Sequence, residues 1–176
     1  STEEGRLGAI GDIRFVLEQA ALEGEDVIVV AGDNLFDFAL GELVRFANAK
    51  GGSAVAVYEH PDRSLLSQYG IVSVDEDDRV TEFLEKPERP PSNLVATATY
   101  VFRSDHIALI ADYLAEGNSP DQPGRFVAWL QERRPVFGFR FSGEWIDIGD
   151  LGQLLDADNR LRARAGLPER AEYSLS

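Results

Sequence analysis

With 176 residues, 44% of them hydrophobic, the chain is long enough for one domain with a real core. A formal net charge of −14 argues against nucleic-acid backbones as partners, and the absence of cysteine excludes disulfides and thiolate metal sites. No apolar run is long enough to cross a bilayer, and the acidic start Ser1-Thr2-Glu3-Glu4 is unlike a signal peptide, so a cytoplasmic protein without membrane partners is expected.

Ile10 to Glu23 has helical spacing, with Ile10, Ile13 and Leu17 on one face. Asp26 to Ala31 is a continuous apolar run of the kind found in strands buried on both faces, and Gly32-Asp33-Asn34 breaks it. Phe38 to Lys50 is helical and stops at Gly51-Gly52, and Ser53 to Glu59 is a second buried strand. Gly70 to Asp75 and Arg79 to Leu84 alternate around an acidic turn and predict a hairpin. A proline-rich connection over Pro87 to Ser92 precedes a strand over Leu94 to Phe102. Ser104 is placed to cap a helix over Asp105 to Leu114. A short helix over Arg125 to Arg133, a strand over Val136 to Phe141 and a helix over Asp150 to Ala165 follow, and the residues from Gly166 form a tail. The sum is one α/β domain over 1–165, with a mostly parallel sheet and an inserted antiparallel part. Ligands of such sheets gather outside the carboxyl ends of the strands, which points to Asp33.

Several residues could carry chemistry. Magnesium prefers one or two carboxylates together with phosphate oxygens and water, so Asp33 is a candidate ligand. By itself, Gly32-Asp33-Asn34 reads better as a plain turn. In Trp145-Ile146-Asp147-Ile148-Gly149, alternation puts Trp145 and Asp147 on one face of an extended segment. Asp150 has a structural role as an N-cap, whereas Asp147 has none. In Glu85-Lys86-Pro87 the proline biases Lys86 towards an extended backbone, and lysine is a good point charge for a phosphate. An exposed Glu-Lys pair is the blander reading. Lys50 and Lys86 are, however, the only lysines in a chain whose other cations are arginine. Such acid-rich, lysine-poor chains are typical of salt-adapted proteins, and a GC-rich genome gives part of the same bias. Gly8 and Gly11 open the first helix, where glycine lets a flat ligand or phosphate approach the backbone. Tyr69-Gly70 offers a ring and an open backbone to a sugar, or simply a turn before the hairpin.

In order, Arg6-Leu7-Gly8-x-x-Gly11, Gly32-Asp33-Asn34, Gln68-Tyr69-Gly70, Glu85-Lys86-Pro87, Thr97-x-x-Tyr100-Val101-Phe102 and Trp145-x-Asp147-x-Gly149 resemble the glucose-1-phosphate thymidylyltransferase and uridylyltransferase family. The match runs from about Leu7 to Leu155. The resemblance implies a Rossmann-like mixed sheet flanked by helices. It implies condensation of a nucleoside triphosphate, dTTP or UTP, with a sugar 1-phosphate such as glucose 1-phosphate, releasing pyrophosphate. On that basis Asp33 and Asp147 would bind Mg²⁺ and Lys86 the sugar phosphate. Glu85 would hold sugar hydroxyls, Tyr69, Gly70 and Trp145 would belong to the sugar site, and Tyr100 would lie near the sugar phosphate. Gly8 and Gly11 would lie against the nucleobase.

Two departures from the family pattern matter. The family's glycine-rich triphosphate loop and its first strand are not in this sequence, so the chain is expected to be N-terminally truncated and inactive alone. An exposed sheet edge would then favour self-association into a homo-oligomer. Ala98 stands where the family often has glycine. A non-catalytic sugar-phosphate-binding or regulatory module of the same fold is the alternative reading, and a different function grafted on the fold is a third.

Overall fold

The computed structural model describes residues 7–173, so Arg6 of the first motif lies outside the described residues. Its elements follow the order anticipated from hydrophobic spacing. They are helix α1 (Gly8–Gln19), strands β1 (Val27–Val30) and β2 (Asn34–Phe36), helix α2 (Leu40–Lys50) and strands β3 (Ser53–Glu59), β4 (Gly70–Val74), β5 (Val80–Glu85) and β6 (Leu94–Phe102). Helices α3 (Ser104–Ile107), α4 (Ile110–Ala115) and α5 (Pro123–Gln131), strands β7 (Val136–Phe141) and β8 (Trp145–Asp147), and helix α6 (Leu151–Arg164) complete it. The main sheet runs β5-β4-β6-β3-β7, with β1 also on β6. Strand β6 organises it. One edge lies along β3, while the other pairs with β4 at Leu94 and Val95 and with β1 from Thr99 to Phe102. Strands β1, β3, β4 and β7 share a direction, yet the only parallel ladder described is β3 with β7. The expected mostly parallel sheet therefore holds for strand direction and not for hydrogen bonding, because reversed β6 lies between co-directional neighbours.

Strand β3 is buried on both faces, as its apolar run predicts. Val55 and Val57 join a core with Ile10, Phe102, Phe126 and Leu130, while Ala54 and Ala56 pack with Leu43, Ala47 and Phe141 under α2. Strand β1 differs from expectation. Val27 and Val29 face the core beside Ile13 and Leu17 of α1, but Ile28 and Val30 remain 44% and 41% exposed. One continuous apolar run thus covers a half-buried edge strand, and Phe15 and Val16 of α1 add further exposed apolar surface. The single helix expected after β6 is two short ones. Ser104 does not cap it with its side chain; its own N–H donates to Asp26 Oδ1 at 2.8 Å, so a residue from the start of the β1 segment satisfies that helix end. The Asp150 N-cap of α6 is as expected, accepting from Gln153 N–H at 2.8 Å. Residues after α6 fold back on it through Asn159, Asp158 and Arg170.

The β3–β6 register shifts between Val55↔Tyr100 and Val57↔Ala96, which places a bulge around Ala98. Ala98 has φ +49°, a left-handed conformation that crowds Cβ in any L-residue but glycine. The bulge turns the Ala98 carbonyl to accept from Ala31 N–H at 3.0 Å, and Thr97 Oγ1 donates to Ala56 O at 3.1 Å. The end of β1 is thereby tied to β6 two residues before Asp33. Ala98→Gly relieves the crowding without touching the hydrogen bonds. It is expected to raise unfolding stability by about 1 kcal/mol in urea titrations; an unchanged or lower midpoint would show that the alanine is not strained there.

Candidate active site

The site rests on a two-stranded ladder apart from the main sheet. Strand β2 pairs antiparallel with β8 in the register Asn34↔Asp147, Leu35↔Ile146 and Phe36↔Trp145. Ile148 N–H donates to Asp33 O at 2.9 Å and carries the pairing one step further. Two aspartates 114 positions apart in the sequence thus come side by side. Asn34 Nδ2 donates to Asp33 Oδ1 at 2.9 Å and reaches Asp147 Oδ1 at 3.5 Å. The Gly32-Asp33-Asn34 segment is therefore a turn and also the entry to β2, a strand too short to show in the hydrophobic pattern.

The second wall comes from the open end of the β4–β5 hairpin. Gly70 lies opposite Glu85, and Lys86 N–H donates to Tyr69 O at 3.1 Å, so Tyr69-Gly70 and Glu85-Lys86 meet. Lys86 is not extended, as the following proline suggested, but left-handed at φ +49°. Closing the hairpin with that N–H overrides the preference set by Pro87. Lys86, Tyr69 and Asp147 line one cleft of about 530 Å³ with Ser67, Gln68 and Gln153. Tyr69 and Asp147 also line an adjoining cavity of about 190 Å³ with His60, Trp145 and Arg160. The Trp145 ring stands edge-on to Tyr69, centroids 5.2 Å apart.

Electrostatics mark the aspartate pair. Burial pushes the Asp147 carboxyl above its ordinary value, the charge of Asp33 pushes it further, and Lys86 pulls it back. Burial likewise raises Glu85, opposed by Lys86 and then Arg125. Asp33 and Asp147 offer the hard oxygen donors that suit a divalent cation. Among the described residues no third histidine or acidic group completes a protein-only metal cage, so such a cation would need oxygens from a ligand or water.

Not every expected residue lines these two cavities: Asp33, Gly70 and Glu85 are beside them and line neither. Tyr100 is 4% exposed in the core and stacks on Phe102, centroids 5.5 Å apart. It is deeply buried, and burial followed by the Glu85 charge raises its phenol, which puts it behind Glu85. Gly8 and Gly11 lie in the first turn of α1, where Ile10 N–H donates to Pro120 O at 2.7 Å. They line neither cavity. No local pattern marks Gly124. A Cβ there would stand 2.6 Å from Glu85 Oε2 and 2.7 Å from the Phe83 ring, so only glycine lets α5 close over Glu85. Gln153 was missed too; its Oε1 accepts from Gly149 N–H at 2.6 Å. Neither has a local signal, because each role exists only across elements.

A helix-flanked mixed α/β sheet with an aspartate pair beside its cleft defines the class. The chain belongs to the nucleotidyl transferase family, whose sequence profile matches residues 1–164. It is 31% identical over 159 residues to a glucose-1-phosphate adenylyltransferase from Clostridium acetobutylicum, covering 88% of this chain and 41% of that protein. It is 28% identical over 148 residues to a UTP–glucose-1-phosphate uridylyltransferase from Synechocystis sp., covering 82% and 37% respectively. The chain thus spans about two-fifths of the length of these curated relatives. A solved UDP-glucose pyrophosphorylase complexed with UDP-glucose superposes with TM-score 0.75 at 21% identity, over 89% of this chain and 63% of that one, and shows the shared fold.

The raised carboxyl of Asp147 has a consequence for stability. Above its unfolded value of 3.8 the folded state holds the proton more tightly, so its contribution falls as pH rises through the raised range. In cation-free buffer, Asp147→Asn is therefore expected to raise the melting temperature at pH 7. The gain should shrink as the pH falls to about 3.8. A lower melting temperature for the variant at pH 7 would contradict this.

Proposed function

We propose that this chain carries the sugar-phosphate and metal-binding part of a sugar-1-phosphate nucleotidyltransferase. The reaction joins a nucleoside triphosphate to a sugar 1-phosphate and releases pyrophosphate. The observation that carries this reading is the meeting of three distant segments in a chain of this family: Asp147 and Lys86 line one cleft, and Asp33 lies beside Asp147 through the Asn34 amide. We take the sugar to be glucose 1-phosphate, the substrate named in both curated relatives, and the nucleotide to be UTP or dTTP; the adenylyltransferase relative makes ATP the competitor to test.

In the mechanism, a phosphate oxygen of the sugar 1-phosphate attacks the α-phosphorus of the triphosphate. The new O–P bond forms as the bond to the β-phosphate oxygen breaks, and pyrophosphate leaves. Catalysis of this kind is mostly positioning and charge neutralisation. Lys86 holds the sugar phosphate as a point charge, and its closed hairpin fixes the ammonium beside Asp147. Glu85, walled in by Gly70 and Gly124, accepts hydrogen bonds from sugar hydroxyls. Tyr69 and Trp145 provide the ring surface beside them. Asp33 and Asp147 would hold Mg²⁺, which offsets the phosphate charge when bound. Gly8 and Gly11 are the nucleobase contacts that the family resemblance implies, although at Gly8 the space of a side chain is filled by Pro120 O, 2.6 Å from where its Cβ would stand; Tyr100 supports Glu85 from behind.

The full-length protein, given Mg²⁺, glucose 1-phosphate and UTP, dTTP or ATP in turn, is expected to release pyrophosphate with one nucleotide preferred. Asp147→Asn and Lys86→Ala should each lower kcat/KM by about a hundredfold, equivalent to about 2.7 kcal/mol. A rate indifferent to Asp147→Asn would end this assignment. Gly124→Ala should raise KM for the sugar phosphate several-fold by displacing Glu85, with the fold retained by circular dichroism; an unaltered KM would remove Glu85 from the sugar site.

A further inference from the structure

Asn34 belongs to the aspartate site but takes no part in the bond-making and bond-breaking steps of the proposed reaction. It sits directly opposite Asp147 in the β2–β8 ladder and adjacent to Asp33 in the chain. Its carbonyl Oδ1 accepts the indole N–H of Trp145 at 2.6 Å. Its Nδ2 donates to Asp33 Oδ1 at 2.9 Å and points at Asp147 Oδ1 at 3.5 Å. We propose that Asn34 is a positioning residue for the Asp33–Asp147 pair, with its amide held in one orientation by Trp145.

The argument is one of donors and acceptors. An amide has a donating end and an accepting end, and nothing in a free asparagine decides which faces the carboxylates. The indole is a donor only, so its short bond to Oδ1 commits the NH₂ group to the aspartates. That group spans two like charges without adding a charge of its own. A lysine there would cancel the negative field that attracts a cation, and an aspartate would add a third repulsive carboxylate. Each aspartate uses Oδ1 for this contact, and among the described residues neither Oδ2 accepts a hydrogen bond. The two Oδ2 atoms are thereby left for a ligand while their carboxylate planes are constrained. Partners that orient metal ligands in this way commonly control affinity tenfold to a hundredfold. The sequence motif thus splits into two jobs, with Asp33 facing the ligand and Asn34 holding the pair. Trp145 gains a second job besides its ring surface.

The inference rests on the reading of Asp33 and Asp147 as a cation pair, and the two can fail separately. The probe is Mn²⁺ alone, titrated into the full chain and followed by water-proton relaxation. Wild type should bind, and Asp147→Asn should abolish binding. Asn34→Ala should weaken Mn²⁺ by about tenfold or more, Trp145→Phe should weaken it by a smaller factor, and the double variant should be no weaker than Asn34→Ala. Without metal, the Trp145 indole N–H resonance, assigned from its loss in Trp145→Phe, should move upfield in Asn34→Ala. The Trp129 indole, bonded to Glu116 at 2.7 Å, should stay in place as an internal control of folding. If Asp147→Asn abolishes binding while Asn34→Ala binds like wild type, the positioning role is wrong and the cation pair stands. Additive losses in the double variant, or a fixed Trp145 resonance, would remove the indole anchor. Absence of Mn²⁺ binding in wild type, or full binding in Asp147→Asn, would overturn both. Should Asn34→Ala shift both indoles and fail to fold, Asn34→Gln serves instead. Its longer arm keeps the amide but moves it off both partners, and it must weaken Mn²⁺ if the placement matters.

Discussion

The β2–β8 ladder is the constraint on which the site depends. It contains three residues on each side, yet its register decides that Asp33, Asn34 and Asp147 meet. Side chains alternate across a strand, so a slip of one residue would bring Ile146 or Ile148 to the site and turn Asp147 away. So short a pair has little stability of its own. Its register is held from outside by Trp145 packing on Tyr69 and by Phe36 and Phe38 stacking at 4.4 Å. The turn that leads into β8 is held by Asp37, whose Oδ1 accepts from Glu144 N–H at 2.8 Å. An aromatic cluster and a carboxylate cap thus fix the geometry of a polar site.

The main sheet contributes by strain as much as by packing. Ala98 and Lys86 both hold left-handed backbones that their side chains disfavour, and each does so where the chain must turn towards the cleft. At Ala98 the bulge hands a carbonyl to the end of β1 and so aims Asp33. At Lys86 the turn closes the hairpin and brings the ammonium towards Asp147. Core burial around Phe102, Phe126 and Leu130 is what can hold such conformations, because neither would persist in an isolated hairpin or strand.

The cleft has a consistent electrostatic logic. Two carboxylates are forced together in partial burial, which raises Asp147, and a single lysine only partly offsets them. That imbalance leaves the aspartate pair with a net negative charge beside one lysine. The Asn34 amide eases the repulsion without removing the negative field, which is why a neutral donor suits the position.

The sequence by itself determined the order and type of nearly every large element. Apolar periodicity and breaker residues act locally, so α2, β3, the β4–β5 hairpin, β6 and the α6 cap were all legible. It also singled out Asp33, Asp147, Lys86, Glu85 and Tyr69, because their ordered motifs survive without coordinates. Only the tertiary structure decided that β1 is a half-exposed edge, since an apolar run records hydrophobicity and not what covers it. Only it revealed β2, the left-handed Lys86 and the burial of Tyr100, each set by a partner far away in the chain. The roles of Gly124 and Asn34 were hidden for the same reason. A glycine or an asparagine has no pattern of its own, and its meaning here lies in a 2.6 Å approach to Glu85 and a 2.6 Å bond from Trp145.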